Sequence, residues 1–158
     1  LRGLVTVEGG AALAVDADGN WIASFRHLDA VLKINRSNGA IAWILGGPCD
    51  QFGLSATQKF SRQHHARRAP DGRLTLFDNG AAGAVSRALA FNLDEVGKAL
   101  VTGNVALPGF SACAQDSRTS FNLGSVQLLN GGKALVGWGT YAGLTSDVSE
   151  FDTSTGAA

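Results

Sequence analysis

Three segments of this chain place a tight turn in front of an apolar strand. They are Asp18-Gly19-Asn20-Trp21-Ile22-Ala23-Ser24-Phe25, Asp71-Gly72-Arg73-Leu74-Thr75-Leu76-Phe77-Asp78 and Gly131-Gly132-Lys133-Ala134-Leu135-Val136-Gly137-Trp138. Such a dipeptide between apolar runs is a strong hairpin signal, because glycine takes positive φ at no steric cost. The turn glycines Gly19, Gly72 and Gly132 stand 53 and 60 residues apart. A strand precedes each turn, at 11–15, 65–69 and 125–129, and a third follows, at 30–35, 86–92 and 148–152. The first two units add a fourth strand, at 40–45 and 99–105, and Ser37-Asn38-Gly39 turns the chain between strands three and four of the first.

A four-stranded antiparallel meander recurring about every fifty residues is the pattern of a propeller blade. One meander cannot bury both faces, so its neighbours must stack on it. The expected architecture is all-β, a partial β-propeller of about three four-stranded blades, forming one domain over 1–158 with blade-like units at about 9–50, 60–107 and 120–158. A sandwich of ten or so strands is the competing architecture; the repeat favours the propeller. No helix is expected, and 93–100 reads as a turn region despite Asp94 and Glu95 near its start. Composition agrees: apolar residues make up 45% and charged residues 16%, and 21 glycines suit many tight turns.

Charge excludes some partners. The 13 basic and 13 acidic residues cancel, and the largest basic cluster, Arg62 to Arg68, has no interleaved aromatics. Nucleic acid is therefore not an expected partner. No apolar run is long enough to span a bilayer. The chain begins at Leu1 and contains no methionine, so it is expected to be a processed or trimmed chain. Cys49 and Cys113 sit in comparable loop-like segments. One disulfide between them, in an oxidising compartment, is the expectation, with two free buried thiols as the other reading. Asn35-Arg36-Ser37 fits the N-glycosylation pattern at Asn35.

Several motifs in order carry a family resemblance. They are Ser24-Phe25-Arg26-His27-Leu28-Asp29-Ala30-Val31-Leu32-Lys33-Ile34 ending in Trp43-Ile44-Leu45-Gly46-Gly47, then Phe60-Ser61-Arg62-Gln63-His64-His65-Ala66-Arg67-Arg68, and then Leu76-Phe77-Asp78-Asn79-Gly80 with Ser86-Arg87. Gly124-Ser125-Val126-Gln127, Val136-Gly137-Trp138-Gly139 and Ser149-Glu150-Phe151-Asp152 complete the set. Over nearly its whole length the chain resembles the arylsulfotransferase family, in its fungal and actinobacterial branch. The resemblance implies a secreted or extracellular protein, periplasmic if bacterial, built as a propeller of about six blades, of which this chain supplies about half. It implies a channel histidine that accepts a sulfuryl group from an aryl sulfate and passes it to a phenol, with no nucleotide donor.

Sulfuryl transfer needs a nucleophile, cations around the sulfonate oxygens and an acid for the leaving phenolate. His64 is the first candidate, as nucleophile or acid/base: it opens the strand before the Asp71-Gly72 turn and matches the histidine of the family's Gln-His-Asp-Ala-Arg motif. A plain channel-lining histidine is the alternative. His65, a substrate-binding candidate, stands where the family usually carries aspartate, a departure that removes an orienting carboxylate, and on a regular strand it faces away from His64. Arg87 matches the family's arginine and is a candidate sulfonate clamp, with Arg67 beside it. His27 and Arg26 come from the equivalent strand end of the first unit, as catalytic and substrate-binding candidates. Asn79 is a substrate-binding candidate that competes with a turn-forming role, as does Asp78. The family's first-unit histidine falls at Gly9 here, and Gly124-Ser125 offers no channel histidine.

His64 and His65 lack a third ligand, so no metal is expected. Gly46-Gly47 opens no helix, so no dinucleotide fingerprint is met, and no cofactor is expected. Two functions follow. One is a non-catalytic propeller segment acting in binding or assembly, since open sheet edges should pair with a second copy, the rest of the ring or a filament. The other is an active aryl sulfate:phenol sulfotransferase. A quinoprotein-like or lactonase-like propeller is weaker, because no acidic calcium cluster is present.

Overall fold

The computed structural model describes residues 11–82, 84–101, 120, 122–139 and 148–154. The described residues are nearly all strand and turn. β1 (Ala11–Val15), β2 (Trp21–Phe25), β3 (Ala30–Ile34) and β4 (Ile41–Gly46) form one antiparallel sheet in chain order. β5 (His64–Arg68), β6 (Leu74–Asp78) and β7 (Arg87–Phe91) form a second. β8 (Leu93–Asp94) and β9 (Ala99–Leu100) make a small hairpin, and β10 (Ser125–Leu129), β11 (Lys133–Gly137) and β12 (Val148–Asp152) a third sheet. Every sheet is a meander, and the expected turns close them: the Gly19 N–H donates to Asp16 O at 2.9 Å and the Gly72 N–H to Ala69 O at 3.0 Å.

Two details differ from expectation. The strand expected at 99–105 does not join β7. Asp94 Oδ1 accepts the Val96 and Gly97 N–H groups at 3.1 and 3.0 Å, so the chain doubles back and Ala99–Leu100 pairs with Leu93–Asp94 instead; residues 102–105 lie outside the described residues. A single 3-10 turn, Arg26–Leu28, also joins β2 to β3.

The sheets stack because the second one is apolar on both faces. Strand side chains alternate, so β6 and β7 send Leu74, Leu76, Leu89 and Phe91 to one side and Phe77, Ala88 and Ala90 to the other. The first group meets Ile22, Val31, Trp43 and Leu45 of the first sheet. The second meets Val126, Ala134, Val136, Trp138 and Phe151 of the third sheet's region. The loop between β4 and β5 adds Phe52, Leu54 and Phe60 to the first core, with Phe52 edge-on to Trp43 at 5.7 Å. Asp50 shapes that loop by accepting the Gly46 and Leu54 N–H groups at 2.9 and 2.7 Å.

A charged cluster ties the same pieces together where β5 ends. Arg68 grips the Asp16 carboxylate with Nε and Nη2, both at 2.9 Å. Lys33 of β3, its side chain only 8% exposed, reaches Asp16 at 2.9 Å and Asp18 and Glu95 at 2.7 Å. Arg68 also meets Glu95 in the β8–β9 turn. Burial alone would disfavour ionised Asp16 and Glu95, but hydrogen bonds from Arg68 and Lys33 win and hold both carboxyls below the ordinary range. Burial opposes the Lys33 charge too, yet Asp18, Glu95 and Asp16 raise its pKa.

Removing one partner from such a cluster strands buried charge, at about 3 kcal/mol or more. Lys33→Met should lower unfolding free energy by about that at pH 7, read from urea midpoints. The folded pKa values of Asp16 and Glu95 lie below the unfolded ones. Their stabilisation is therefore complete above about pH 4.5 and fades as pH falls. The gap between Lys33→Met and the parent should narrow over that acid limb.

Candidate functional site

The opposite end of β5 assembles polar groups from all three sheets. Gln63, buried just before the strand, donates from Nε2 to Ser24 Oγ, Phe25 O and Ala30 O at 3.0, 3.2 and 2.9 Å. That fixes the start of β5 against the β2–β3 connection. The strand then bulges: His64 pairs with Phe77, but the next paired residue is Arg67, opposite Thr75. His65 sits in the bulge at φ +57°. A bulge breaks the two-residue alternation, so the two histidines do not face opposite ways. Both reach the segment entering the third sheet, the Leu123 N–H lying 3.4 Å from His64 Nε2 and the Val126 N–H 3.3 Å from His65 Nδ1. The expectation of opposed histidines therefore gives way to a bulged strand.

His64 Nδ1 meets Asn79 Oδ1 at 2.6 Å. Asn79 follows β6 and is 1% exposed. Its Nδ2 donates to Ser120 O and Leu123 O, both at 2.9 Å. Asn79 is thus no local turn former, whereas Asp78 is partly one, since its Oδ1 accepts the Gly80 N–H at 2.9 Å. Sequence reading missed Gln63, and it missed Asn122 and Leu123 altogether. A buried amide beside an apolar strand was the available signal for Gln63 and Asn79; Asn122 and Leu123 carried none.

Arg26 and His27 lie in the 3-10 turn, which ends at Asp29 with φ +50°. Arg26 Nη2 donates to Asn122 Oδ1 at 3.1 Å, and Nη1 lies 3.4 Å from His27 Nε2. A cleft of about 490 Å³ opens here, lined by Arg26, His27, Asp29, Ser61, Arg62 and Ala81. His64 does not line it; Asn122 and Leu123 link the two. Gly124, which follows them, has φ +107°, and a Cβ there would overlap the Phe77 ring. Packing therefore demands glycine where a channel polar group was sought.

Arg87 is placed differently from a free sulfonate clamp. Its guanidinium donates to Asp78 Oδ2 from Nε and Nη2 at 3.0 and 2.6 Å, to Lys59 O at 2.7 Å and to Thr57 O at 2.9 Å. With four of about five N–H groups used, it staples the loop before β5 to β6. Arg67 is exposed, and its charge is felt by His65. Asn35 accepts from Ser37 N and Oγ at 2.9 and 2.6 Å in an exposed turn. The expected Cys49–Cys113 bridge is not seen: Cys49 is exposed with a free thiol, and Cys113 lies outside the described residues, as does Gly9. Among the described residues no three acidic, histidine or cysteine side chains gather as a metal site would require.

Residues 12–155 match the family model described as Arylsulfotransferase (ASST). The chain belongs to the arylsulfotransferase family. No curated protein matches it. Among arylsulfotransferase residues of this chain, His64 alone combines an imidazole with a polar partner on each ring nitrogen from separate elements. His65 is of another kind. Burial, then the nearby Arg67 charge, lowers its pKa, and the Val126 N–H needs an unprotonated Nδ1.

Because the folded pKa of His65 lies below the unfolded one, near 6.5, its neutral ring stabilises the fold above that value and less so below it. Asparagine tolerates positive φ and sets an acceptor where Nδ1 stood. His65→Asn should therefore fold, and its melting temperature should change less than the parent's between pH 7.5 and 5.5. A parent just as flat over that range would refute the assignment.

Proposed function

We propose that this chain handles aryl sulfates at the His64 end of β5, with His64 Nε2 taking the sulfuryl group and a phenol receiving it. One observation carries the proposal: His64 Nδ1 is held by Asn79 at 2.6 Å, while Nε2 faces only a long contact of 3.4 Å to the Leu123 N–H. The more loosely held nitrogen is the one free to attack sulfur. The N–S bond forms as the S–O bond to the aryl group breaks, and the phenolate leaves with the bonding pair. His27, exposed beside Arg26, is the group available to protonate the leaving phenolate. A second phenol oxygen then attacks sulfur as its proton passes to the now neutral His27, the N–S bond breaks, and the imidazole lone pair returns. Arg26 takes the sulfonate-holding role first expected of Arg87, because Arg87 is committed to Asp78 and two backbone carbonyls.

The three stacked meanders support a propeller, in which the starts of β1, β5 and β10 would border a central channel. The motif resemblance to the fungal and actinobacterial branch supports about six blades and a secreted protein. With p-nitrophenyl sulfate alone, nitrophenolate should appear as a single stoichiometric burst, and continuous release should require a phenol acceptor. His64→Ala should abolish both, and Arg26→Gln should lower kcat/KM about 100-fold. Arg87→Lys should lower the melting temperature instead, with little change in kcat/KM per folded molecule. Nitrophenolate release by His64→Ala equal to the parent's would end this proposal.

A second reading, binding through assembly, has its own support. Leu13 and Val15 of β1 are each 65% exposed on the first sheet's outer face, beside half-buried Trp21 and Phe25. Such a face suits a further sheet, from a second copy, a filament neighbour or the rest of a ring. If it assembles, light scattering should give a mass above 16.3 kDa that falls to the monomer value in Leu13→Lys/Val15→Lys.

A further inference from the structure

Asn79 does not lie where a substrate would touch it. It is buried, and every polar atom of its side chain is spent on protein. Its Nδ2 donates to Ser120 O and Leu123 O at 2.9 Å and approaches Ser120 Oγ at 3.3 Å. Its backbone carbonyl accepts from Ser86 Oγ at 3.2 Å, and the same Ser86 Oγ accepts the Ser120 N–H at 2.8 Å. The amide can face only one way. Turned over, it would aim Oδ1 at two carbonyl oxygens and leave their lone pairs opposed. Oδ1 must therefore point at His64, and an oxygen acceptor at 2.6 Å requires a proton on Nδ1.

The other side of the ring reaches the same answer independently. The group facing His64 Nε2 is a backbone N–H, that of Leu123. A backbone N–H can only donate, so Nε2 must carry the lone pair. One neutral tautomer, Nδ1–H with Nε2 bare, satisfies both neighbours, and the alternative satisfies neither. Leu123 serves both sides, giving its N–H to His64 and its C=O to Asn79. It does so at φ +64°, a conformation costly for leucine.

We infer that Asn79 is a positioning residue, which fixes His64 in the Nδ1–H tautomer and so presents Nε2 as its reactive nitrogen. This rests on the reading of His64 given above, which it deepens. An imidazole free in water favours the opposite tautomer, so the enzyme corrects the ring before substrate arrives. The amide fixes the tautomer without adding a charge beside the ring. A carboxylate in the same place would fix the same tautomer but would also stabilise the imidazolium.

The test begins with the unaltered protein. Histidine-selective nitrogen NMR at pH 7.5 separates the tautomers, and the chain has three histidines, assigned by loss of one signal each in His27→Gln and His65→Asn. His64 should appear as Nδ1–H and His65 as Nε2–H. A His64 ring in the Nε2–H form, or averaging between forms, overturns the inference, whatever the activity. Two substitutions follow. Asn79→Leu should lower kcat at least tenfold with KM little changed. Asn79→Asp loses the donations to Ser120 and Leu123 and should be less stable, but per folded molecule it should keep the Nδ1–H signal, retain more kcat than Asn79→Leu and move the acid limb of the pH profile up by about one unit or more. A purely structural asparagine predicts equal losses in both and no shift of that limb, and that result also overturns the inference. Should either variant fail to fold, the spectrum of the parent still decides. If His64 is Nδ1–H but never carries sulfur-35 after exposure to labelled aryl sulfate, the sulfuryl-transfer proposal fails while the role of Asn79 in fixing the ring stands.

Discussion

The second sheet has no solvent face to offer. Leu76 and Phe77 are adjacent in β6, both fully buried, and must point to opposite sides. Burying a side chain of this size contributes about 2 kcal/mol, and β6 with β7 carries several on each side. Such a sheet is stable only with a layer on either face. Covering it sets the first and third sheets on its two sides, and that stacking brings Arg26, His64, Asn79 and Leu123, far apart in the chain, to one end of β5. The site is thus a consequence of packing before it is a matter of chemistry.

The two ends of β5 then divide the polar work. At Arg68 every charge has a partner of opposite sign, and Asp16 and Glu95 each bridge Arg68 and Lys33. That end is a clasp. At His64 the interactions are neutral or long, and a cleft lies next to them. Strain also gathers there. Of the five non-glycine residues with positive φ among the described residues, Asp29, Arg62, His65 and Leu123 lie around this end, and Lys98 sits in the β8–β9 turn. Each costs about 1 kcal/mol or more. Strain of this kind persists where surrounding bonds over-determine the backbone, and the bonds from Gln63, Asp29 and Asn79 do so here.

The strands were legible because each obeys a local rule. Turn glycines and alternating apolar residues placed ten of the twelve strands within a residue or two. They failed at 93–100, where the Asp94 side chain closes a hairpin that hydrophobic pattern does not encode. His64 and Arg26 were legible as candidates from motif order. The roles of Arg87 and Asn79 were not, because a role depends on partners far off in sequence: Thr57 and Lys59 for one, Ser120 and Leu123 for the other. Nor was the bulge at His65, since nothing in two consecutive histidines announces a left-handed backbone.

That bulge explains how the chain can carry histidine where the family's motif usually has aspartate. The position demands a residue that accepts positive φ and that offers an acceptor to the Val126 N–H. Aspartate meets both demands through a carboxylate, and histidine meets both through Nδ1. The exchange keeps the backbone and loses a negative charge close to Arg67. Arg67 is then left exposed with its charge uncompensated by its neighbour, and the site end of β5 becomes more positive. Toward an anion, that change acts in the attractive direction. The exchange of aspartate for histidine is thus, in this backbone, a change in the field around the His64 end of β5.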